Sequence, residues 1–228
     1  KAKATILEVK RKGKILVFNL SNGWNLVFHL KMTGQILFLN FLRNSEINKT
    51  SRAVFILDKG YLVFNDVRRF GWVKIVDENS LDKEIKKLGI DALDLSFNDL
   101  KKILNKTKKS IKLVLMDQTK IAGIGNIYAN EILFLARIHP KTQANKLSDK
   151  KIKELLKAVK TILRKAIKYE GTSFRFYLKP DASKGKYQEN FLVYQREGEE
   201  CKRCHIKIKR IILEGRSTFY CPNCQKLL

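Results

Sequence analysis

Acidic residues are scarce in this chain. Its 228 residues carry 22 Asp and Glu against 47 Lys and Arg, which leaves a net charge of +25 at pH 7 and a pI near 10.0. With an ordinary 44% hydrophobic content, that deficit describes a folded protein with a polyanionic partner: nucleic acid first, a membrane surface second. Cysteine is sparse too. There are four, all beyond residue 200, which fits metal ligation in a reducing cytosol rather than a disulfide framework. No apolar run approaches the roughly 20 residues of a membrane span, and no signal peptide is visible. Internal repeats and low-complexity tracts are also missing, which leaves no solenoid or tail to account for. Residue 1 is Lys, not Met, and the chain opens directly into strand-like sequence; the expectation is that a natural start is missing.

What is present is most specific near the C-terminus. Cys201-Lys-Arg-Cys204 and Cys221-Pro-Asn-Cys224 stand 16 residues apart. Two such pairs match the spacing of a structural zinc site, each placing two thiolates on one turn. Two disulfides or four free thiols are the alternatives. His205 is a fifth potential ligand beside a set that four cysteines already fill. Between the pairs, Ile206 and Ile208 alternate with Lys207 and Lys209, Glu214-Gly215 marks a turn, and Ser217–Tyr220 follows, so the segment reads as a hairpin.

Upstream, residues 1–76 read as β. Lys14–Leu20, Trp24–Leu30, Gln35–Leu39, Ala53–Leu57, Tyr61–Phe64 and Trp72–Val76 are short and rich in Val, Ile and Phe. Tight turns at Asn22-Gly23 and Lys59-Gly60 separate them, with a polar loop over Asn40–Ser51. The spacing suggests a sandwich or barrel. From Leu81 the period becomes helical: Leu81–Leu88, Phe97–Leu104, a helix capped by Ser110 and running to Met116, one capped by Asn126 and running to about Ala136, and a long one after Ser148. The long helix presents Ile152, Leu155, Leu156, Val159, Ile162, Leu163, Ala166 and Ile167 on one face, with lysines opposite, and Gly171 ends it. Residues 172–200 form a loop region holding Lys184-Gly185-Lys186-Tyr187.

Four further constellations bear chemistry. Gly123-Ile-Gly125-Asn126 precedes a helix whose free N–H groups suit a phosphate, or else it is a tight interhelical turn. Asp66-Val-Arg68-Arg69-Phe70-Gly71-Trp72 puts guanidiniums and aromatics on a strand-connecting loop, fit to insert into a duplex or to form a surface turn. His29-Leu-Lys-Met32-Thr-Gly34 holds a Met that is a wedge if exposed and core if not. Arg11-Lys12-Gly13-Lys14 enters a strand with a lysine that either meets solvent or a phosphate.

Taken in order, Gly13-Lys14, His29-Leu-x-Met32-x-Gly34, Asp66-x-Arg68-Arg69-Phe70-Gly71, Gly123-x-Gly125-Asn126-Ile-Tyr-Ala-x-Glu131 and Arg216-Ser-Thr-Phe-Tyr-Cys221 in a four-cysteine finger, the chain resembles the formamidopyrimidine-DNA glycosylase family along essentially its whole length. The resemblance implies an α+β multidomain protein: an antiparallel β-sandwich (1–78, lacking its start), a helix–two-turn–helix domain with a lid loop (79–195) and a zinc-finger hairpin (196–228). It implies a bacterial base-excision enzyme that removes oxidised purines such as 8-oxoguanine and formamidopyrimidines and cleaves the strand through a Schiff base. The implied partner is double-stranded DNA containing oxidised bases; one structural Zn²⁺ is the implied cofactor. No membrane association is implied, and the expected state is a cytoplasmic, nucleoid-associated monomer. By motif match, Met32, Arg68 and Phe70 fill the stack vacated by the flipped base, with Arg68 facing the orphaned cytosine. Lys14, His29 and Asn126 grip phosphates, and Lys14 also matches a proton donor in strand elimination. Arg216 matches the finger arginine of the second elimination, Glu131 a buried acid near the active site, and Lys184 to Tyr187 the lid over the extruded base. Cys201, Cys204, Cys221 and Cys224 hold the metal.

The departures are specific. The family's nucleophile is an N-terminal proline amine in a Pro-Glu-Leu-Pro-Glu opening, which this sequence does not contain, so the chain as it stands is expected to be inactive. A family His falls near Thr50, and a family Lys falls at Thr107, flanked by Lys106 and Lys108. The alternatives are an endonuclease VIII-like enzyme for oxidised pyrimidines and a non-catalytic damaged-DNA-binding protein.

Overall fold

A computed structural model describes residues 3–41, 47, 49–173, 179–181 and 183–227. The chain divides into two compact units, one of residues 1–85 with 168–189 and one of residues 86–167 with 190–228.

The first unit is a β-sandwich. Its strands are β1 (Ile6–Lys12), β2 (Ile15–Leu20), β3 (Asn25–His29), β4 (Gly34–Leu39), β5 (Ser51–Leu57), β6 (Gly60–Asp66) and β7 (Trp72–Val76). They form two antiparallel sheets, ordered β1-β2-β3-β7 and β4-β6-β5. Alternation along each strand turns one set of side chains inward. Phe18, Leu26 and Phe28 from the first sheet meet Ile36, Leu62 and Phe64 from the second. Phe28 is the centre of this core: its ring meets Phe18, Phe55 and Phe64 edge-on at centroid distances of 5.4, 5.8 and 5.6 Å. Burying each such ring stabilises the fold by about 1.5–3 kcal/mol. The opening of the chain is strand-like in sequence, but its pattern sets no bounds for β1: five of its seven residues are exposed and it pairs only with β2. An edge strand with one dry neighbour has little alternation to display. β2 starts at Ile15 rather than Lys14, since Gly13 (φ +56°) and Lys14 form the turn. Part of the expected 40–51 loop lies outside the described residues. Helix α1 (Glu78–Ile85) crosses the outer face of the first sheet, where Glu78 accepts from Asn25 Nδ2 at 3.0 Å and Glu84 pairs with Lys74 at 3.2 Å.

The second unit is mainly helical. A short parallel pair, β8 (Ile90–Asp91) and β9 (Ile121–Ala122), ties its start to its middle. Helix α2 (Phe97–Asn105) begins in a reciprocal cap between Ser96 and Asp99, which satisfies two otherwise orphaned N–H groups. Helix α3 (Ile111–Met116) follows Ser110, whose hydroxyl makes no capping bond. Helix α4 (Asn126–Leu135) is apolar on nearly every side and buried from Ala129 to Phe134, as an all-round apolar helix must be. Its cap residue is Gly125, not Asn126 as expected; Asn126 is the first helical residue and its side chain is used elsewhere. Helix α5 (Asp149–Lys168) buries Ile152, Leu155, Val159, Ile162 and Ala166 as the period requires, whereas Ile167, expected on that face, is exposed. The hairpin β10 (Lys209–Leu213) and β11 (Arg216–Tyr220) closes the chain through a Glu214-Gly215 turn with φ of +43° and +71°. Two left-handed residues are what a two-residue hairpin turn demands. Phe134 of α4 packs with Val193, Ile208, Phe219 and the buried Cys201 and Cys221, so hairpin and helix share one core. Among the described residues, no helix is long and apolar enough to cross a membrane.

Candidate nucleic-acid interface

In the first unit, the end of β3 and the loop between β6 and β7 come together around Asp66. This carboxylate is fully buried. It accepts hydrogen bonds from the Thr33 hydroxyl, from Gly71 N–H at 2.6 Å and from Arg68 N–H at 3.2 Å. Burial alone would raise its pKa, but bonds from Thr33, Gly71, Arg68 and Arg69 outweigh that and hold it below the ordinary carboxylate value. The bolt fixes a loop in which Arg69 is left-handed (φ +60°). Gly71 has no room for a side chain: a Cβ there would lie 2.9 Å from the Phe64 ring and 3.0 Å from Asp66 Oδ2.

On this platform stand three side chains. Met32 is 60% exposed and Phe70 54%. The Arg68 guanidinium lies over the Phe70 ring at 4.8 Å and donates from Nη1 to Met32 Sδ at 3.4 Å. The structure thus brings together Met32, Arg68 and Phe70, which are 36 and 2 residues apart in sequence. Two large apolar groups left in water around a cation are unusual for a core residue and fitting for a wedge.

Beside them, His29 pairs across strands with Ile15 and Trp72. Its Nδ1 accepts the Lys31 N–H at 3.0 Å. Burial, then the charges of Lys31 and Lys14, lowers its pKa to about 4, so the imidazole is neutral at physiological pH. With Nδ1 accepting, the ring proton sits on Nε2, which is left as a donor. The same coupling puts the Lys14 charge near His29. Lys184 is exposed, but Tyr187 is not: it is 1% exposed, and its N–H donates to Gly171 O at 3.0 Å. Gly185 packs so closely that a Cβ would lie 2.4 Å from Gly171 O. Tyr187 is therefore an anchor of this loop rather than an exposed contact. Residues 174–178 and 182 of the same region lie outside the described set.

In the second unit, the N-terminus of α4 and the hairpin turn form a corner. Gly125 supplies no side-chain cap, leaving the first amides of α4 without an intrahelical partner. Gln118 holds the approach, donating to Met116 O and Ile124 O and accepting from Gly123 N–H at 3.0 Å. Asn126 Nδ2 donates to Ser217 O at 3.1 Å. One turn later, Asn130 Oδ1 accepts the Phe219 N–H at 2.7 Å while its amide donates back to Asn126 O. These bonds fix β11, whose first residue is the exposed Arg216.

A residue that sequence reasoning missed completes the corner. Lys112 on α3 is 0% exposed and donates from Nζ to Ser217 O at 3.1 Å and Thr218 Oγ1 at 2.7 Å. Burial, then the Arg216 charge, lowers its pKa to about 7. The signal was present: one lysine interrupts the apolar run Ile111–Met116. Glu131 is buried as expected, but its carboxylate is fully engaged. It accepts N–H groups of Leu192 (2.8 Å), Val193 (3.0 Å) and Tyr194 (2.8 Å). Burial raises its pKa in spite of those bonds. It therefore anchors the chain leading into the finger.

The four cysteine sulfurs lie within 4.8 Å of one another, with Sγ–Sγ distances of 3.9 Å (Cys201–Cys224), 3.4 Å (Cys204–Cys221) and 3.5 Å (Cys204–Cys224). Tetrahedral Zn–S bonds of ~2.3 Å imply sulfurs ~3.8 Å apart, so the cage fits Zn²⁺. Burial pushes the Cys224 thiol up to about 12, whereas the Asn223 side chain lowers Cys204 to about 6; four adjacent thiolates require a cation. The site is a structural zinc centre, since protein sulfur fills every position. His205 instead faces Glu200 at 3.2 Å. From the same knuckle, Arg203 stacks on Phe134 at 4.4 Å and donates to Phe134 O and Leu135 O at the C-terminus of α4.

Comparison with known proteins covers the chain nearly end to end. Residues 2–73 match the formamidopyrimidine-DNA glycosylase N-terminal domain, 88–177 the formamidopyrimidine-DNA glycosylase H2TH domain, and 198–227 the zinc finger found in FPG and IleRS. A formamidopyrimidine-DNA glycosylase of Pelotomaculum thermopropionicum is 41% identical over 227 residues, 97% of this chain and 82% of the relative. Among solved structures, the Lactococcus lactis FPG in complex with a FAPY-dG containing DNA superposes with a TM-score of 0.89 at 33% identity, covering 98% of this chain and 83% of that one. A MutM in complex with carbocyclic 8-oxo-G containing DNA gives 0.90 at 34% identity, covering 98% and 82%.

Proposed function

The chain belongs to the formamidopyrimidine-DNA glycosylase family, and we propose that it serves base-excision repair by binding damaged duplex DNA, extruding an oxidised purine and presenting its nucleotide for glycosidic cleavage and strand elimination. The observation that carries this reading is the exposed cluster of Met32, Arg68 and Phe70 on the Asp66-bolted loop. Taking a base out of the stack costs roughly a few kcal/mol of unstacking, which inserted side chains offset. Met32 and Phe70 supply apolar surface for the vacated step. Arg68 supplies a planar fork of donors for the orphaned cytosine.

The remaining residues hold the backbone. The His29 Nε2–H and the Lys14 ammonium act on phosphates near the lesion, with Lys14 also a proton donor in strand elimination. The N-terminus of α4 at Asn126 and the guanidinium of Arg216 make a second phosphate grip, and Arg216 takes part in the second elimination. Cys201, Cys204, Cys221 and Cys224 would hold the zinc, which would brace the base of the hairpin that carries Arg216. Lys184 belongs to the lid, with Tyr187 as its buried anchor. The working division of these roles is 1–78, 79–195 and 196–228. The family's nucleophilic proline amine has no match among these 228 residues, so the covalent step is assigned to none of them.

The direct test is affinity for a duplex carrying an abasic-site analogue opposite cytosine against the same duplex undamaged. A preference of roughly tenfold or more is expected from a recognition site of this kind. Equal affinity for the two duplexes would sink the reading. Excision of 8-oxoguanine against thymine glycol separates the purine from the pyrimidine enzyme.

A further inference from the structure

The lesion-recognition groups leave one strongly charged surface unused. On α5, Lys150, Lys153, Lys157, Lys160 and Arg164 recur at spacings of three and four residues. At 3.6 residues per turn they fall within about 80° of arc and extend over ~21 Å. All but the half-buried Lys160 are exposed. The two acids of this helix form their ion pairs off the stripe, Asp149 with Lys101 at 2.7 Å and Glu154 with Lys151 at 2.8 Å, and of the five stripe cations Lys150 also acts on Glu154. A shallow groove of about 660 Å³ runs along it, lined by Lys153, Leu156, Lys157, Lys160, Thr161 and Arg164. A second, of about 460 Å³, continues toward Arg137 at the C-terminal end of α4. Asn126 marks the other end of that ten-residue helix, ~14 Å away at 1.5 Å per residue.

We propose that this stripe is a second duplex-binding surface, distinct from the lesion site, that holds the phosphate backbone of undamaged DNA without reading its sequence. The proposal rests on the DNA-binding function stated above. Three features favour a nucleic acid over a protein partner. Like charges at three- and four-residue spacing destabilise a helix, and a polyanion removes that repulsion. The cations recur every ~4.5–6 Å along a straight rod, the same order as the ~3.4 Å axial spacing of charges on one DNA strand. The groove offers one apolar side chain, Leu156, which is too little for the apolar centre of a protein interface. Phe97, flanked by Lys101 and Lys153 at 5.8 and 5.6 Å, extends the cationic edge onto α2.

The test occupies the lesion site first. The full chain is saturated with a duplex containing an abasic-site analogue, and a lesion-free duplex of a second colour is titrated in. The wild type is expected to form a ternary complex whose log–log salt dependence reports several phosphate contacts. The triple variant Lys150→Gln/Lys157→Gln/Arg164→Gln should bind the second duplex roughly tenfold or more weakly, with a salt slope smaller by about 2.7, while affinity for the lesion duplex stays within about twofold. A wild type that takes up no second duplex overturns the proposal, as does a variant that takes it up equally well. A variant that loses the lesion duplex itself assigns the stripe to the primary site and overturns it too. Polyglutamate bound by the wild type in place of the second duplex would assign the stripe to an acidic polypeptide. Failure of the wild type to prefer the lesion duplex at all would instead remove the functional reading on which the proposal stands.

Discussion

Replacing Lys112 by Met tests whether a buried lysine braces the hairpin. In the native protein its pKa falls from 10.5 to about 7. A base whose folded pKa is depressed binds fewer protons folded than unfolded. Its penalty is therefore absent above pH 10.5, grows as pH falls, and is complete below about 7. Between pH 7.5 and 9.5 the two titration curves predict that the wild type gains about 2.5 kcal/mol from this group alone. Lys112→Met keeps the stem's volume and removes the titration. Urea unfolding of both proteins at the two pH values, zinc present, isolates the difference, because every other titrating group is shared. The variant should therefore lack about 2.5 kcal/mol of the wild type's rise in stability. At pH 7.5 it should be as stable as the wild type or more so, since the cost of giving up the lysine's proton on folding is relieved while Ser217 O keeps its bond from Asn126. Its affinity for lesion DNA should nonetheless fall about tenfold, because the Arg216 turn has lost two of its ties. Parallel pH dependences in the two proteins would refute the burial argument; unchanged DNA affinity would refute the bracing.

Three other outcomes follow from the same geometry. Asp66→Ala leaves the Gly71 and Arg68 amides without their acceptor and should destabilise the first unit by about 2–4 kcal/mol in thermal melts; in the wild type the Asp66 contribution is present above the ordinary pKa of 3.8 and is lost as pH falls through its lower native value. Glu131→Gln offers one carbonyl to three N–H groups and turns an NH₂ toward the rest, so denaturant unfolding should register a loss of about 2–3 kcal/mol with zinc content unchanged. Cys224→Ser should abolish binding of one equivalent of zinc, measured by metal analysis, and lower DNA affinity by roughly a hundredfold as the Arg216 hairpin loosens.

Local patterns revealed much of this architecture. Six of the seven sandwich strands stand out as short runs rich in Val, Ile and Phe between turns, the long helix declares its buried face, and the cysteine spacing announces the metal. The features that escaped are ties between residues far apart in sequence. Lys112 meets Thr218 across 106 positions, Glu131 meets Val193 across 62, and Thr33 meets Asp66 across 33; no local period encodes such pairs. Asn126 illustrates the limit. A residue of that type before a helix reads as a cap, yet Gly125 takes that place and frees the amide for the hairpin. Tyr187 shows the converse, since a tyrosine in a polar loop gives no sign that its ring is buried.

Helix α4 is held at both ends by the metal-bearing segment: Asn126 and Asn130 tie its start to β11, and Arg203 closes its last carbonyls from the cysteine knuckle. Zinc and the phosphate that the proposed function assigns to the start of α4 would thereby be joined in one thermodynamic cycle. Whatever free energy the bound metal lends to DNA affinity, bound DNA must return to metal affinity in equal measure. A cell short of zinc would on this account lose the metal first from molecules idle in solution and last from those engaged on damaged sites, so occupied repair complexes protect their own scaffold.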